Sequence, residues 1–194
     1  MRSVRMTALS ALATTTVLAG LSFTSVAAYS GDDDASVVTD WNSQALGAIS
    51  ASGAAPTLGS ALMGMVHGAL YDAVVSIAGG SEPDLGPVEA EPDASKVAAA
   101  AAAAHGVLDG LFPDQSADLQ ALLDASLADV PDGPAKDAGI AVGEAAAAAM
   151  RAEREGDGRG EHNPLTWDEG PGDYRPTPPA YAEYVDAGIA NVRT

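Results

Sequence analysis

Residues 56–77 read PTLGSALMGMVHGALYDAVVSI, 22 residues with a single formal charge, Asp72. A segment of that length and composition has two outlets, the central helix of a bundle or a membrane span. Leu58, Leu62, Met65, Val66, Ala69, Leu70, Ala73, Val74 and Ile77 recur at helical spacing. Met63, His67 and Tyr71 form a second stripe, so apolar groups are expected to face most of the way round. Ser60, Gly64 and Gly68 add a line of small residues suited to close helix contact. An acidic group at the bilayer centre costs roughly 2.5 to 3.5 kcal/mol. Asp72 near one end and His67 in the middle therefore favour the interior of a bundle, with no stable membrane insertion.

The first 28 residues differ from the rest. Arg2 and Arg5 open a cationic region, residues 8–24 are apolar and small, and Val26, Ala27 and Ala28 suit a signal-peptidase site. Residues 1–28 are expected to be a secretory signal, and the mature chain to be secreted or extracytoplasmic. The apolar run is short and broken by Thr14, Thr15 and Thr16, which argues against an uncleaved anchor. Loss of Arg2 and Arg5 would take the net charge from −18 to −20. Such a field repels nucleic acid and anionic lipid, so neither is an expected partner. There is no cysteine, which excludes disulfides, thiolate metal sites and cysteine nucleophiles. The roughly 166 residues left suffice for one domain. With few aromatics and abundant alanine, its core must come from close backbone approach.

Along the mature chain, residues 29–36 read as an acidic tether. Residues 37–49 are expected to be helical, with Trp41, Leu46 and Ile49 on one face, and Gly53 breaks that helix. Pro56 suits the first turn of the buried helix, where its missing N–H costs nothing. Gly79 and Gly80 end that helix, and residues 81–94, with three prolines and five acidic groups, read as a surface loop. Asp93 or Ser95 can cap the next helix, 96–111, which contains seven consecutive alanines at 98–104. Alanine has the best intrinsic helix propensity. A flat alanine face is expected to pack on the Gly64 and Gly68 side of the buried helix. A further helix starts at Pro113 and Asp114, with Leu119, Leu122, Leu123, Leu127 and Val130 as its stripe and Asp118, Asp124 and Asp129 in solvent. Pro131 to Pro134 turn the chain into an alanine-rich helix over 135–155. Residues 156–194 are rich in glycine and proline, with no regular element expected before Tyr181. The expected fold is all-α, a bundle of about five helices over 37–155 with a long irregular C-terminal arm.

Candidate chemistry is sparse. His67, Tyr71 and Asp72 lie on adjacent turns and could form an acid-base cluster, although core packing is the simpler reading. His105 follows the alanine run as a boundary residue. His162, Glu161 and Asp157 share a loop without recognised metal-ligand spacing. Gly156, Gly158 and Gly160 follow a helix and precede none, so the usual phosphate cradle at a helix N-terminus is missing. No G-x-S-x-G, H-E-x-x-H or P-loop occurs. No catalytic, cofactor-binding or metal residue is assigned.

The order of the segments carries more information than any one residue. The pairs and runs Trp41-Asn42, Met65-Val66-His67, Tyr71-Asp72-Ala73-Val74, Leu111-Phe112-Pro113, Asp132-Gly133-Pro134-Ala135 and Arg175-Pro176-Thr177-Pro178-Pro179 occur in that order. In them the mature chain resembles the amino-terminal half of bacterial vanadium-dependent haloperoxidase-like proteins of the type 2 phosphatidic acid phosphatase superfamily. The resemblance implies a largely helical enzyme that holds vanadate, or phosphate in its phosphatase relatives, among basic side chains. The family's pocket uses a lysine followed by an arginine-proline pair, a Pro-Ser-Gly-His segment and a Ser-Arg segment leading to a second histidine. None of these occurs here. Lys96 is followed by Val97 and alanines and Lys136 by Asp137, while Arg175-Pro176 lacks the upstream lysine. In the family those motifs follow the region this chain resembles. The implied partner is a missing or separate catalytic half, or a second copy in a homo-oligomer. The alternative expectation is a standalone secreted helical interaction module without catalysis.

Overall fold

The computed structural model describes residues 31–161 and 170–193. The expected signal at 1–28, together with His162 and Trp167, lies outside the described residues. The chain forms five α-helices: α1 Gly31–Ser52, α2 Pro56–Ala78, α3 Lys96–Leu111, α4 Ser116–Ala128 and α5 Pro134–Glu153. Short 3-10 turns occupy Pro113–Gln115 and Ala187–Asn191. No strand occurs among the described residues, and the fold is all-α.

The helix α3 sits at the centre and touches each of the other four. Seven alanines span nearly two turns, so every side of α3 there is equally small, and all seven are only 0 to 3 % exposed. Its most extensive contact is with α5. A Cβ built on Gly139 would lie 2.3 Å from the Ser95 carbonyl oxygen, and one on Gly143 would lie 2.3 Å from that of Ala99. Here two backbones meet with no room for a methyl group. The alanine face was expected on Gly64 and Gly68; instead it meets Gly139 and Gly143 of α5. Gly64 is exposed with open space above it, and Gly68 abuts the Met150 Cε of α5. The α3 N-terminus is capped by Ser95, whose hydroxyl accepts from Ala98 N at 3.2 Å. Ser95 N also donates to the Ala135 carbonyl at 2.8 Å, tying the starts of α3 and α5 together.

Residues Leu62, Met65, Val66, Ala69, Leu70, Ala73 and Ile77 of α2 are buried against this pair. The second stripe is not: Met63 is half-buried, while His67 and Tyr71 are exposed. The burial is therefore one-sided. In α1 the buried face is Val37, Trp41, Ala45, Ala48 and Ile49, and Leu46 is 53 % exposed. Five residues at 100° each put Leu46 about 140° away from Trp41, so the two cannot share a face. The helix also starts at Gly31, so the acidic residues expected in a tether belong to its first turns. Trp41 is fully buried; its indole N–H donates to Ser126 Oγ of α4 at 3.2 Å, and its ring meets His105 of α3 edge-on at 6.1 Å. One side chain thus joins three helices.

After α5 the chain returns to the bundle. The Asp186 carboxylate accepts from Leu58 N at 2.9 Å and from the Thr57 hydroxyl. It serves the first turn of α2, whose own N-cap, Ala55, has no side chain able to do so. Arg193 N donates to the Asp157 carbonyl at 2.8 Å, beside the end of α5.

The close approach of α3 and α5 is directly testable. Gly143→Ala should destabilise the protein by about 1 to 3 kcal/mol, because overpacking moves backbone. Gly47→Ala, at a helical glycine with open space, should be neutral or stabilising by up to about 1 kcal/mol. Urea unfolding of the two variants reads both signs.

Candidate functional site

Asp72 is the natural starting point, a carboxylate only 2 % exposed on the apolar α2. Its Oδ1 accepts from Asp84 N at 2.6 Å and its Oδ2 from Leu85 N at 3.1 Å. One turn on, Ser76 Oγ accepts from Val88 N at 3.2 Å, and the Tyr71 hydroxyl donates to the Glu82 carbonyl at 3.3 Å. Three positions of the helix, 71, 72 and 76, thus clamp the 82–88 loop. Two backbone N–H groups supply the partners a buried carboxylate requires. His67 points elsewhere: its Nε2 lies 3.1 Å from Asn42 Oδ1 on α1. His67, Tyr71 and Asp72 therefore do not converge, and no acid-base cluster is assembled.

His105 packs beneath Trp41, and its Nε2 is buried without a hydrogen-bond partner in the protein, as is Asp109 Oδ1 one turn later. A cavity of about 200 Å³ beside His105 is lined by Leu123, Ile140, Glu144 and Arg151. The two lysines lie apart from it. Lys96 is exposed at the start of α3, and Lys136 pairs with Asp132 at 2.9 Å. That hydrogen bond and the ammonium charge hold the Asp132 carboxyl below its ordinary 3.8. The pair favours the fold above the carboxylate range, and this contribution fades as pH falls through the lowered value.

Four arginines gather where α5 ends. Arg159 Nη1 donates to the Arg154 carbonyl at 2.6 Å and pairs with Asp157 at 2.8 Å. Arg154 Nη1 donates to the Arg193 carbonyl. Arg193 pairs with Glu153 at 3.1 Å and also donates to its carbonyl. These cations mostly satisfy carbonyls at a helix C-terminus and around the returning chain end. Arg151 and Arg159 line one cavity of about 410 Å³, together with Met65, Leu111 and Glu155. Vanadate or phosphate requires several unneutralised donors and a histidine in reach. In this cavity Asp157 pairs with Arg159, Glu155 adds a second carboxylate to the lining, and no histidine lines the wall. The residues of this cavity do not fit such an oxyanion.

The glycines at 156, 158 and 160 form a docking turn: a Cβ on Gly158 would lie 2.5 Å from the Asn191 carbonyl oxygen. Asp157 is committed to Arg159, and Glu161 is exposed. Among the described residues, no group of three or more histidines and carboxylates is placed to hold a metal ion.

Periodicity could not reveal the arginine cluster, because Arg193 reaches it only through the return of the arm. The loop clamp left a faint signal, a lone Asp in an apolar helix. The chain matches no protein-family model, no curated protein and no solved structure. Asp72→Ala should cost about 1 to 3 kcal/mol, the penalty for leaving buried N–H groups unpaired. Limited proteolysis should then cut within residues 82–88 much faster than in the parent.

Proposed function

We propose that this chain is the exported helical amino-terminal portion of a haloperoxidase-like or acid-phosphatase-like protein. In this reading it is a scaffold, and the vanadate or phosphate chemistry belongs to a missing or separate catalytic half. One observation carries the reading: residues of the resemblance hold helices and a loop together, and the two that line the arginine cavity, Met65 and Leu111, are apolar. Trp41 joins three helices, Asn42 meets His67, Asp72 clamps a loop, and Gly133-Pro134 opens α5. Among the described residues, Arg159 is paired with Asp157 in a cavity whose wall carries no histidine, which supports a portion that is inactive alone. Export rests on the composition of residues 1–28.

A standalone secreted helical interaction module is the second reading, favoured by the return of residues 186–193 to the helices. Asp186 bonds the start of α2, and Arg193 bonds Glu153 and Asp157. The pure chain should show no halide oxidation with vanadate and peroxide, and no phosphatase turnover, above a blank; clear turnover of either kind would overturn the scaffold reading. Hydrogen exchange separates the two readings. Strong protection throughout residues 170–193 would favour the standalone module.

A further inference from the structure

Residues 41–71 contain no Asp, Glu, Lys or Arg, in a chain with 27 acidic and nine basic residues. Burial alone does not explain this run, because the fold turns much of it outward. Leu46, Ser50, Ser60, Gly64, His67 and Tyr71 are all exposed on α1 and α2. The helix α2 is apolar enough to cross a membrane, yet only 44 % of its most apolar window is buried. Between the two helices lies a groove of about 470 Å³, walled by Ile49, Ala54, Pro56, Gly59 and Met63, with Leu46 among its lining residues.

We propose that this face is the contact between two copies of the chain, paired about a twofold axis with Leu46 of each in the groove of the other. A twofold contact sets one patch against itself, so any charge on it faces its like. Two molecules of net charge −18 repel, and a face without charged residues is where they can touch without apposing carboxylates. At its edge the Asp186 carboxylate is already engaged by Leu58 N and the Thr57 hydroxyl. Knob and groove lie on the same face, which closes the pair and leaves no free end for a filament. Gly64 has open space where a Cβ would stand, so a partner's backbone can approach closely there. A basic partner would find its charge complement on the acidic remainder of the surface, and anionic lipid would be repelled by it. The pairing depends on the scaffold alone and holds with or without a catalytic half.

Sedimentation equilibrium of the full chain tests it. Between about 0.01 M and about 1 M salt the Debye length falls from about 30 Å to about 3 Å. Repulsion is thereby screened, and the dimer fraction should rise steeply. Leu46→Asp should weaken association by more than about tenfold, since it buries an unpaired carboxylate. Its thermal unfolding, followed at low salt, should match the parent's, because Leu46 is exposed. Ser60→Asp, at a second exposed position of the groove, should act in the same way. A parent that stays monomeric at every salt concentration overturns the proposal, as does a Leu46→Asp variant that dimerises like the parent. Binding of the monomer to neutral phosphatidylcholine vesicles, lost in Leu46→Asp, would assign the face to a membrane and also overturn it.

Discussion

The bundle depends on backbone lying directly against backbone. Where Gly139 and Gly143 meet the Ser95 and Ala99 carbonyls, α3 and α5 come closer than any side chain would permit. That proximity substitutes for the bulk this chain lacks, since it has only two phenylalanines and two tryptophans. Dispersion between close-packed atoms grows with the number of neighbours, and a methyl-lined helix gathers them by approach. The other helices then take positions around α3, and Trp41 supplies the one large side chain that ties α1 and α4 to it.

A core of this kind is rigid about volume but undemanding about chemistry. The buried charged side chains are few among the described residues, and two of them, Asp72 and Asp157, organise the surface. Asp72 holds the loop between α2 and α3, and Asp157 holds the turn after α5 with Arg159. Both carboxylates spend their lone pairs on backbone N–H groups or a guanidinium. Arg154, Arg159 and Arg193 are likewise spent on carbonyls and carboxylates around the end of α5. Among the described residues these groups anchor the periphery of the bundle.

Much of the fold was legible because local rules and tertiary packing agree. The proline and glycine boundaries of α2, the Ser95 cap and the stripe of α2 all emerge in place. The partner of the alanine run was not legible. Seven alanines carry no direction, so their sequence cannot say which neighbour has glycines at the matching spacing. Leu46 misled for a related reason, since hydrophobicity suggested burial where helical phase forbids it. Core packing was the simpler reading of His67, Tyr71 and Asp72, yet only Asp72 is buried, and the side chains diverge because they answer to a loop and to another helix. The roles of Asp186 and Arg193 belong to tertiary return, which no local pattern encodes.

The bond from Asp186 to the start of α2 has a consequence for the order in which the molecule forms. The Leu58 amide and its acceptor are 128 residues apart, so the first turn of α2 emerges long before the group that completes it. Closing so long a loop carries an entropic cost that grows with the logarithm of its length. Until residue 186 emerges, that turn has a proline, an alanine and water to serve it. The helical bundle can nucleate early, around α3 and its neighbours, while the seal on α2 waits for residue 186. Folding therefore has a late step placed at its most apolar helix, and the segment around Asp186 works as a fastener closed after the five helices are assembled.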